Sequence, residues 1–353
     1  MASREENLHT KDKKQIEKIY KKIKKYVIRV GAKIEEKTES VKEARIDYIT
    51  QAYKNKDVLL AVVSDIAIKD YLALECEAAD DGPGLYCYGQ YLYSMGLINT
   101  VYDEDGDFYA ATILELWELL FSAEKDLFEE IGCKAAVNSA VSAMTNLYGI
   151  IKFEKAYEIF CKVTHLGGKT SFEKFIETAM SFADFREEYN ICVYMDCFVS
   201  GDYLNVQNVR GVKKITPLPG YYELVCRQGD KPFYTEFTVA ELLNYEFPGS
   251  FEINSYIDNF MKFLSETFDR SEKAVFDMTD EVYRACVEEC VINVIFDLLE
   301  NKGFYSKSQK IQKTLVKHIM QIKSNIRLRV NRGFTINELR GISYESATVC
   351  SNL

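Results

Sequence analysis

The sequence predicts an α+β protein that is mostly helical, with winged-helix-like units followed by a helical C-terminal half. Only 5 prolines and 18 glycines occur in 353 residues, which favours long regular elements over open loops. Apolar residues recur at helical spacing along much of the chain. The stretch from Asn138 to Ser200 reads as helix, helix, helix and then strand, which is the order of a winged-helix unit.

The chain opens with a lysine-rich amphipathic helix over residues 11–29. Its apolar stripe consists of Ile16, Ile19, Ile23 and Val27. The opposite face carries Lys18, Lys21, Lys22 and Lys25. A basic amphipathic helix can lie on an anionic membrane, but this one lacks the Trp and Phe anchors of strong membrane binders. The sequence therefore disfavours a membrane role for this helix.

A first winged-helix-like unit is predicted over residues 57–132. Predicted helices in and before it cover residues 40–54, 56–75 and 85–97. Asp105-Gly106 then lies between two short apolar runs and predicts a hairpin, because glycine accepts the positive φ that such a turn needs. Helices followed by a hairpin are again typical of a winged helix.

A second winged-helix-like unit with extra strands is predicted over residues 133–230. Its elements are helices at 138–151, 153–163 and 170–183 and strands at 189–199, 202–215 and 221–227. Thr170 and Glu173 form the capping-box pattern that starts the third helix. The segment from Ser171 to Phe185 has one lysine and three acidic residues, so it is poorly suited to phosphate contacts. We expect a scaffold or protein-contact module rather than a DNA reader.

The C-terminal region, residues 231–353, is predicted to be helical. Capping-box patterns start helices at Thr238 and Thr335. Longer helices are predicted at 254–267, 279–300 and 306–330, the last of which is strongly basic. A basic N-terminal helical region, residues 1–56, completes the four predicted segments.

Charge is unevenly distributed along the chain, whose net charge is −10. Residues 1–34 carry 11 Lys/Arg and 4 Asp/Glu, and residues 303–353 carry 9 and 2, which leaves 24 basic and 48 acidic groups between them. The basic helix and the residues after it have no nearby acidic residue for i,i+4 pairing, so they need another anion. The acidic middle of the chain and a polyanion such as nucleic acid both fit. The candidate anion-binding or nucleic-acid-binding residues are Lys310, Lys313, Lys317, Arg327, Arg329 and Arg332.

Motifs of common catalytic and metal sites are missing or incomplete in this sequence. The run HLGGKT at 165–170 lacks the first glycine of a phosphate loop and follows a helix. The carboxylates at 103–107 do not have EF-hand spacing. Cys286 and Cys290 have no second ligand pair near them, which favours reduced, buried thiols over zinc. With neither G-x-S-x-G nor H-E-x-x-H and only three histidines, the sequence leans against an enzyme.

Three stretches between about residues 135 and 340 carry a resemblance to a known group of proteins. They are residues 138–200, FTVAELLNYEFPGSFEINSYIDNFMKFL and NIRLRVNRGFTINEL. The chain resembles uncharacterised Firmicutes proteins that often end in a cysteine-rich SEC-C zinc module. Members often have an aromatic residue where Arg329 stands and a proline where Ile336 stands, and only Cys350 follows the last motif, so the module is absent here. The resemblance implies a bacterial or phage-associated cytosolic protein and transfers no activity.

The function predicted from the sequence is non-catalytic binding or regulation through protein–protein contacts in the cytoplasm. The alternatives are nucleic-acid binding by the basic C-terminal helix and metal-dependent catalysis by clustered carboxylates. No cofactor or metal site is expected. No transmembrane helix is expected either, because the sequence has no apolar run of 18 residues.

Overall fold

The computed structural model describes residues 8–9, 11–35, 41–78, 90–102, 108–121, 125–209, 212–250 and 252–341. The protein is mostly helical with small antiparallel sheets, which confirms the predicted α+β class. Its contacts divide the chain into unit 1, Met1–Val141 with Thr164–Glu188, and unit 2, Ser142–Val163 with Tyr189–Leu353. The four segments predicted from the sequence stay a prediction.

The described helices and strands are named here in chain order. The helices of the first half are α1 (Lys13–Arg29), α2 (Val41–Lys54), α3 (Lys56–Ser64), α4 (Ile68–Ala78), α5 (Gln90–Met95), α6 (Leu114–Phe121), α7 (Lys125–Tyr148), α8 (Phe153–Thr164) and α9 (Phe172–Phe185). Those of the second half are α10 (Pro219–Gln228), α11 (Val239–Leu243), α12 (Ser255–Thr267), α13 (Glu272–Val287), α14 (Ile292–Asn301) and α15 (Gln309–Asn325). The strands are β1 (Ile98–Tyr102), β2 (Phe108–Thr112), β3 (Ile150–Lys152), β4 (Ile191–Tyr194), β5 (Cys197–Ser200), β6 (Leu204–Val209) and β7 (Val212–Pro217).

Helix α1 starts at a capping box in which Asp12 accepts from the Gln15 backbone and the Gln15 side chain accepts from the Asp12 backbone. Its apolar stripe is buried in the core of unit 1, with Ile16, Ile19 and Ile23 at most 2% exposed. An apolar face that packs inside the protein is not available to a lipid bilayer. Within the part of the chain that the structure describes, no helix has the length and apolarity needed to cross a membrane.

Strands β1 and β2 pair antiparallel from Ile98↔Thr112 to Tyr102↔Phe108, as the sequence predicts for a hairpin. The Asp105-Gly106 turn itself lies outside the described residues. The helix predicted over 56–75 is instead two helices, α3 and α4. The break falls at Asp65, which is 1% exposed and pairs with Arg29 at 2.8 Å, a partner that periodicity cannot reveal.

Unit 1 contains a buried charge network centred on Arg186, which is 2% exposed. Its Nη1 donates to the backbone oxygen of Asp65 at 2.7 Å, and its guanidinium pairs with Glu188 at 2.7 Å and Asp70 at 3.7 Å. The guanidinium also lies 3.6 Å from the ring centroid of Tyr91. Burial raises the pKa of Asp70 above its ordinary value, and the charge of Arg186 limits that rise. The network joins the end of α3 to α4, α5 and the residues after α9.

Unit 2 contains a three-stranded antiparallel sheet in the order β3-β5-β4, with the register Ile150↔Val199 and Ile191↔Ser200. The single strand predicted over 189–199 is wrong: the chain reverses at Met195, where φ is 54°, and forms a two-strand hairpin. Sequence reasoning missed this turn because methionine seldom adopts a positive φ.

Two other strand predictions in unit 2 have different outcomes. The run predicted as a strand over 202–215 forms the antiparallel hairpin β6–β7, which pairs from Leu204↔Pro217 to Val209↔Val212. The strand predicted over 221–227 is wrong, since these residues belong to helix α10. Pro219 stands in the first turn of α10, where its missing N–H costs nothing, and this was the signal for a helix.

The C-terminal helices α12 to α15 share one core, which includes Phe260, Val282, Ile295 and Ile319. The long helix predicted over 279–300 is two helices, because Glu289 adopts φ 56° and the Cys290 N–H returns to the Ala285 carbonyl oxygen. This is a Schellman-type ending without its usual glycine, so the sequence does not announce it. The predicted capping boxes at Thr238 and Thr335 are confirmed. The one predicted at Thr170 and Glu173 is wrong, because the N-cap of α9 is Ser171, whose hydroxyl accepts from the Lys174 backbone.

Replacing Arg186 with Met should lower the free energy of unfolding of unit 1 by about 3–5 kcal/mol, because buried carboxylates lose their counter-charge. Trp117, the only tryptophan, lies in α6, so its fluorescence during urea unfolding reports on unit 1. Lys21→Met is the control, since the Lys21–Glu17 pair is 71% exposed on the lysine side and should cost less than about 1 kcal/mol.

The deficit of Arg186→Met should also depend on pH. Asp70 has a raised folded-state pKa, so its favourable contribution is present below the unfolded pKa and is lost as pH rises through the folded pKa. Without Arg186 the pKa of Asp70 rises further. The loss of unfolding free energy in Arg186→Met should therefore shrink as pH falls from about 7 to about 5. A deficit that is the same at both pH values would contradict this account of the network.

Candidate functional site

Helix α15 carries the lysines that the sequence analysis selected, and its inner face is firmly anchored. Leu315, Ile319 and Ile322 are 0% exposed in the core shared with α12, α13 and α14. Near its end, Lys323 donates to the carbonyl oxygen of Cys290 at 2.6 Å. The outer face of α15 is therefore held on a rigid support.

The outer face of α15 brings together three of the predicted residues, Lys310, Lys313 and Lys317, all of them exposed. Their spacing of three and four residues places them side by side. Val316 and Met320 lie on the same side of the helix and are 38% and 50% exposed. These five residues are called the α15 face. Within the described residues, none of the three lysines has a salt bridge or a side-chain hydrogen bond.

Arg327, also predicted as an anion-binding residue, lies beyond the end of α15 and points into unit 2. Its side chain is 12% exposed and pairs with Glu338 at 3.0 Å. It lies over the ring of Tyr234 at 3.6 Å and donates to the carbonyl oxygen of Gly333 at 2.9 Å. Burial opposes its charge, yet Glu338 and the groups around it raise the pKa of Arg327 above its ordinary value.

Arg329 also makes its contacts inside unit 2. It donates to the carbonyl oxygen of Asn146 at 2.8 Å and pairs with Asp202 at 2.8 Å. Burial alone would raise the pKa of Asp202, but the bond from Arg329 holds it below its ordinary value. Arg329 therefore fixes the segment after α15 to the end of α7 and to the start of β6.

Arg332 has a similar role. It donates to the carbonyl oxygens of Lys231 and Gly229, and its guanidinium lies 4.6 Å from the ring centroid of Phe233. The structure thus separates the six predicted residues into two groups. The three lysines form one exposed surface, and the three arginines bind groups of their own chain. The basic helix ends at Asn325 rather than at Val330, which is why the arginines can turn inward.

Sequence reasoning missed the two apolar members of the α15 face. Val316 follows Lys313 by three residues and Met320 follows Lys317 by three, so both were visible as neighbours of the lysines on a helical wheel. They were overlooked because apolar residues on a helix are normally assigned to the core. Their exposure is a property of the tertiary structure.

No arrangement suited to metal binding is found among the described residues, where no group of three His, Cys, Asp or Glu side chains comes together. The carboxylates at 103–107 lie outside those residues. Cys286 is buried and reduced, and burial raises the pKa of its thiol to about 12. A thiol with this pKa stays protonated at neutral pH and is a poor nucleophile.

The comparisons with known proteins return no relative. No protein-family model, no curated protein and no solved structure matches this chain. The resemblance to Firmicutes proteins noted in the sequence stays a prediction.

Replacing Arg329 with Met should lower the free energy of unfolding by about 1–2 kcal/mol, since charge-assisted hydrogen bonds to Asp202 and Asn146 are lost. Lys313→Met, on the α15 face, should change it by less than about 0.5 kcal/mol. Urea unfolding followed by circular dichroism measures both values. Equal losses of unfolding free energy in Arg329→Met and Lys313→Met would show that Arg329 does not stabilise the fold.

The Arg329 effect should have a defined pH dependence. Asp202 has a lowered folded-state pKa, so its contribution is present above the unfolded pKa and is lost as pH falls through the folded pKa. The difference in unfolding free energy between the unmodified protein and Arg329→Met should therefore become smaller below about pH 4. A constant difference down to about pH 3 would contradict the Asp202 pairing.

Proposed function

We propose that this protein is a non-catalytic binding or regulatory protein whose α15 face binds an acidic protein surface with exposed apolar side chains. The observation that carries the proposal is the composition of that face. Among the described residues, the three exposed lysines have no carboxylate partner, and exposed Val316 and Met320 lie beside them on a helix whose other side is buried. Charges of this kind speed and orient encounter, and the apolar side chains add affinity once water is excluded.

A protein partner fits the α15 face better than nucleic acid does. Nucleic-acid sites favour arginine, whose guanidinium binds phosphate with two hydrogen bonds. The arginines of this region are engaged with Glu338, Asp202 and backbone oxygens. Val316 and Met320 would gain nothing against phosphate groups, whereas they can pack against apolar side chains of a protein. Nucleic-acid binding by Lys310, Lys313 and Lys317 alone is the second candidate.

The proposal includes two finer features of the architecture. Within unit 2, the chain order β3, α8, β4, β5 and the strand order β3-β5-β4 support a winged-helix-like unit. The order α3, α4, α5 followed by the β1–β2 hairpin supports a second one. Both would serve as scaffolds for protein contacts. The proposed setting is the cytoplasm of a bacterium, in which the seven cysteines whose side chains the structure describes would stay reduced.

The experiment is affinity capture from a bacterial lysate with quantitative mass spectrometry. Three forms are compared with the unmodified protein. The first carries Lys310→Glu, Lys313→Glu and Lys317→Glu, and the second carries Val316→Gln and Met320→Gln. The third is a charge-matched control with Lys214→Glu, Lys262→Glu and Lys273→Glu, at exposed positions of unit 2 that are not on α15.

Acidic proteins captured by the unmodified protein and by the control should be lost at least about tenfold in each of the first two forms. Equal capture by all four forms would overturn the proposal. Labelled DNA and RNA oligonucleotides test the second candidate with the same proteins. Binding that the lysine changes abolish, and that the Val316 and Met320 changes leave intact, would replace the protein partner with nucleic acid.

A further inference from the structure

A second basic surface lies in unit 1, where a groove along α1 encloses a cavity of about 750 Å³. Five lysines line it: Lys11, Lys18, Lys21, Lys22 and Lys25. Glu187 and Glu188 are its acidic residues. Tyr93 lies beside Lys11, whose ammonium is 4.3 Å from the centre of its ring. This is called the lysine groove.

Positive charge in the lysine groove exceeds the negative charge available to it. Lys25 pairs with Glu187 at 2.8 Å, Lys22 lies 3.8 Å from Glu188, and Lys21 lies 3.6 Å from Glu17. Lys18 is exposed, and among the described residues neither Lys18 nor Lys11 has a carboxylate partner. The groove therefore has an excess of ammonium groups that a bound anion would neutralise.

Two of these ammonium groups are also partly withdrawn from water. Lys11 is 7% exposed, and its Nζ donates to the carbonyl oxygen of Tyr93 at 3.3 Å. Burial lowers the pKa of both Lys11 and Lys22 below their ordinary value. A charge that has lost part of its hydration gains more from an anion than a fully hydrated surface lysine does. The lysine groove differs in this respect from the α15 face.

The groove is suited to a linear anion with a flat ring attached. Lys18, Lys22 and Lys25 follow one another at four and three residues, so they form a single file about 10 Å long on the helix. Beneath them Ile19 is buried and gives the groove an apolar floor. Tyr93 is 42% exposed although Lys11 lies over its ring, so part of its surface is open to a ligand.

We propose that the lysine groove binds nucleotide phosphates, with the lysines along α1 contacting the phosphate chain and the Tyr93 ring stacking on a base. Lysine binds phosphate through charge without sequence preference, and an aromatic ring accepts any base. The cavity volume is in the range of nucleotide-sized ligands. A free nucleoside triphosphate and a single-stranded oligonucleotide share this chemistry.

The test uses the full-length protein and three probes: a fluorescent 12-nucleotide oligouridine, fluorescent ATP and sodium tripolyphosphate as an unlabelled competitor. The groove variant carries Lys18→Gln, Lys21→Gln and Lys25→Gln, all at exposed positions that should not affect folding. The charge-matched control carries Lys13→Gln, Lys14→Gln and Lys33→Gln, which are exposed but do not line the groove. Tyr93→Leu keeps the carbonyl group that holds Lys11 and removes the ring.

Contacts with three phosphates of a single strand predict a slope of about −2 in a plot of log affinity against log salt concentration. Affinity should then fall about 20-fold when salt rises from about 50 to about 200 mM. The groove variant should lose this slope and the control should keep it. Tyr93→Leu should weaken oligouridine or ATP binding about tenfold. It should leave competition by tripolyphosphate unchanged, because tripolyphosphate has no base. Binding of oligouridine alone identifies a strand, and binding of ATP identifies a free nucleotide; both support the proposal.

Three results would overturn it: neither nucleotide probe binds at about 50 mM salt, the control loses as much affinity as the groove variant, or Tyr93→Leu has no effect. Equal displacement of the probe by polyglutamate would assign the groove to an acidic protein instead. Because the lysine groove and the α15 face share no residue, changes to Lys310, Lys313 and Lys317 should leave nucleotide binding intact. The two proposals can therefore fail independently.

Discussion

The buried guanidinium of Arg186 constrains the packing of unit 1. Taking an arginine out of water is costly, and the cost is offset only if its donors and charge all find partners. Asp70, Glu188 and the Asp65 carbonyl oxygen supply them, and the Tyr91 ring covers the flat face. These partners lie in or next to different helices. A shift of any one of these helices would leave a buried charge without its partner in an apolar environment. The Glu188 carboxylate that pairs with Arg186 also lies 3.8 Å from Lys22 on α1.

A second constraint is the chemical difference between arginine and lysine. Arg327, Arg329 and Arg332 bind carboxylates, backbone oxygens or aromatic rings of their own unit. A planar guanidinium with five donors suits such mixed sites and is weakly hydrated. Lys310, Lys313 and Lys317 of α15 stay in water because an ammonium group is strongly hydrated. Near the C-terminus, these three arginines therefore stabilise the fold, and these three lysines remain on the surface.

The two terminal regions handle their positive charge in different ways. Near the N-terminus, Lys11 and lysines of α1 line a cavity beside two glutamates, and Lys11 and Lys22 are partly withdrawn from water. On α15, Lys310, Lys313 and Lys317 are exposed beside aliphatic side chains. The lysine groove, with its partly dehydrated ammonium groups, suits a small or narrow anion. The α15 face, which combines lysines with apolar side chains, suits another protein surface. This contrast is why the two regions support different proposals although their net charges are alike.

The sequence by itself determined the features that depend on local interactions. The caps at Asp12, Thr238 and Thr335 and the amphipathic stripes of α1 and α15 follow from hydrogen bonds and spacings within a few residues. Only the tertiary structure decided the breaks at Asp65 and Glu289 and the turn at Met195. Glutamate and methionine are not usual turn residues, and the break at Asp65 depends on its buried pairing with Arg29.

The tertiary structure also decided which charged side chains have partners among the described residues. Arg329 meets Asp202, and Lys11 meets Tyr93, across 127 and 82 residues of chain. Whether a charge is neutralised depends on such distant partners, and local periodicity contains no information about them. For that reason the sequence identified the basic regions, while the choice between buried arginines, an exposed lysine face and a lysine groove required the three-dimensional arrangement.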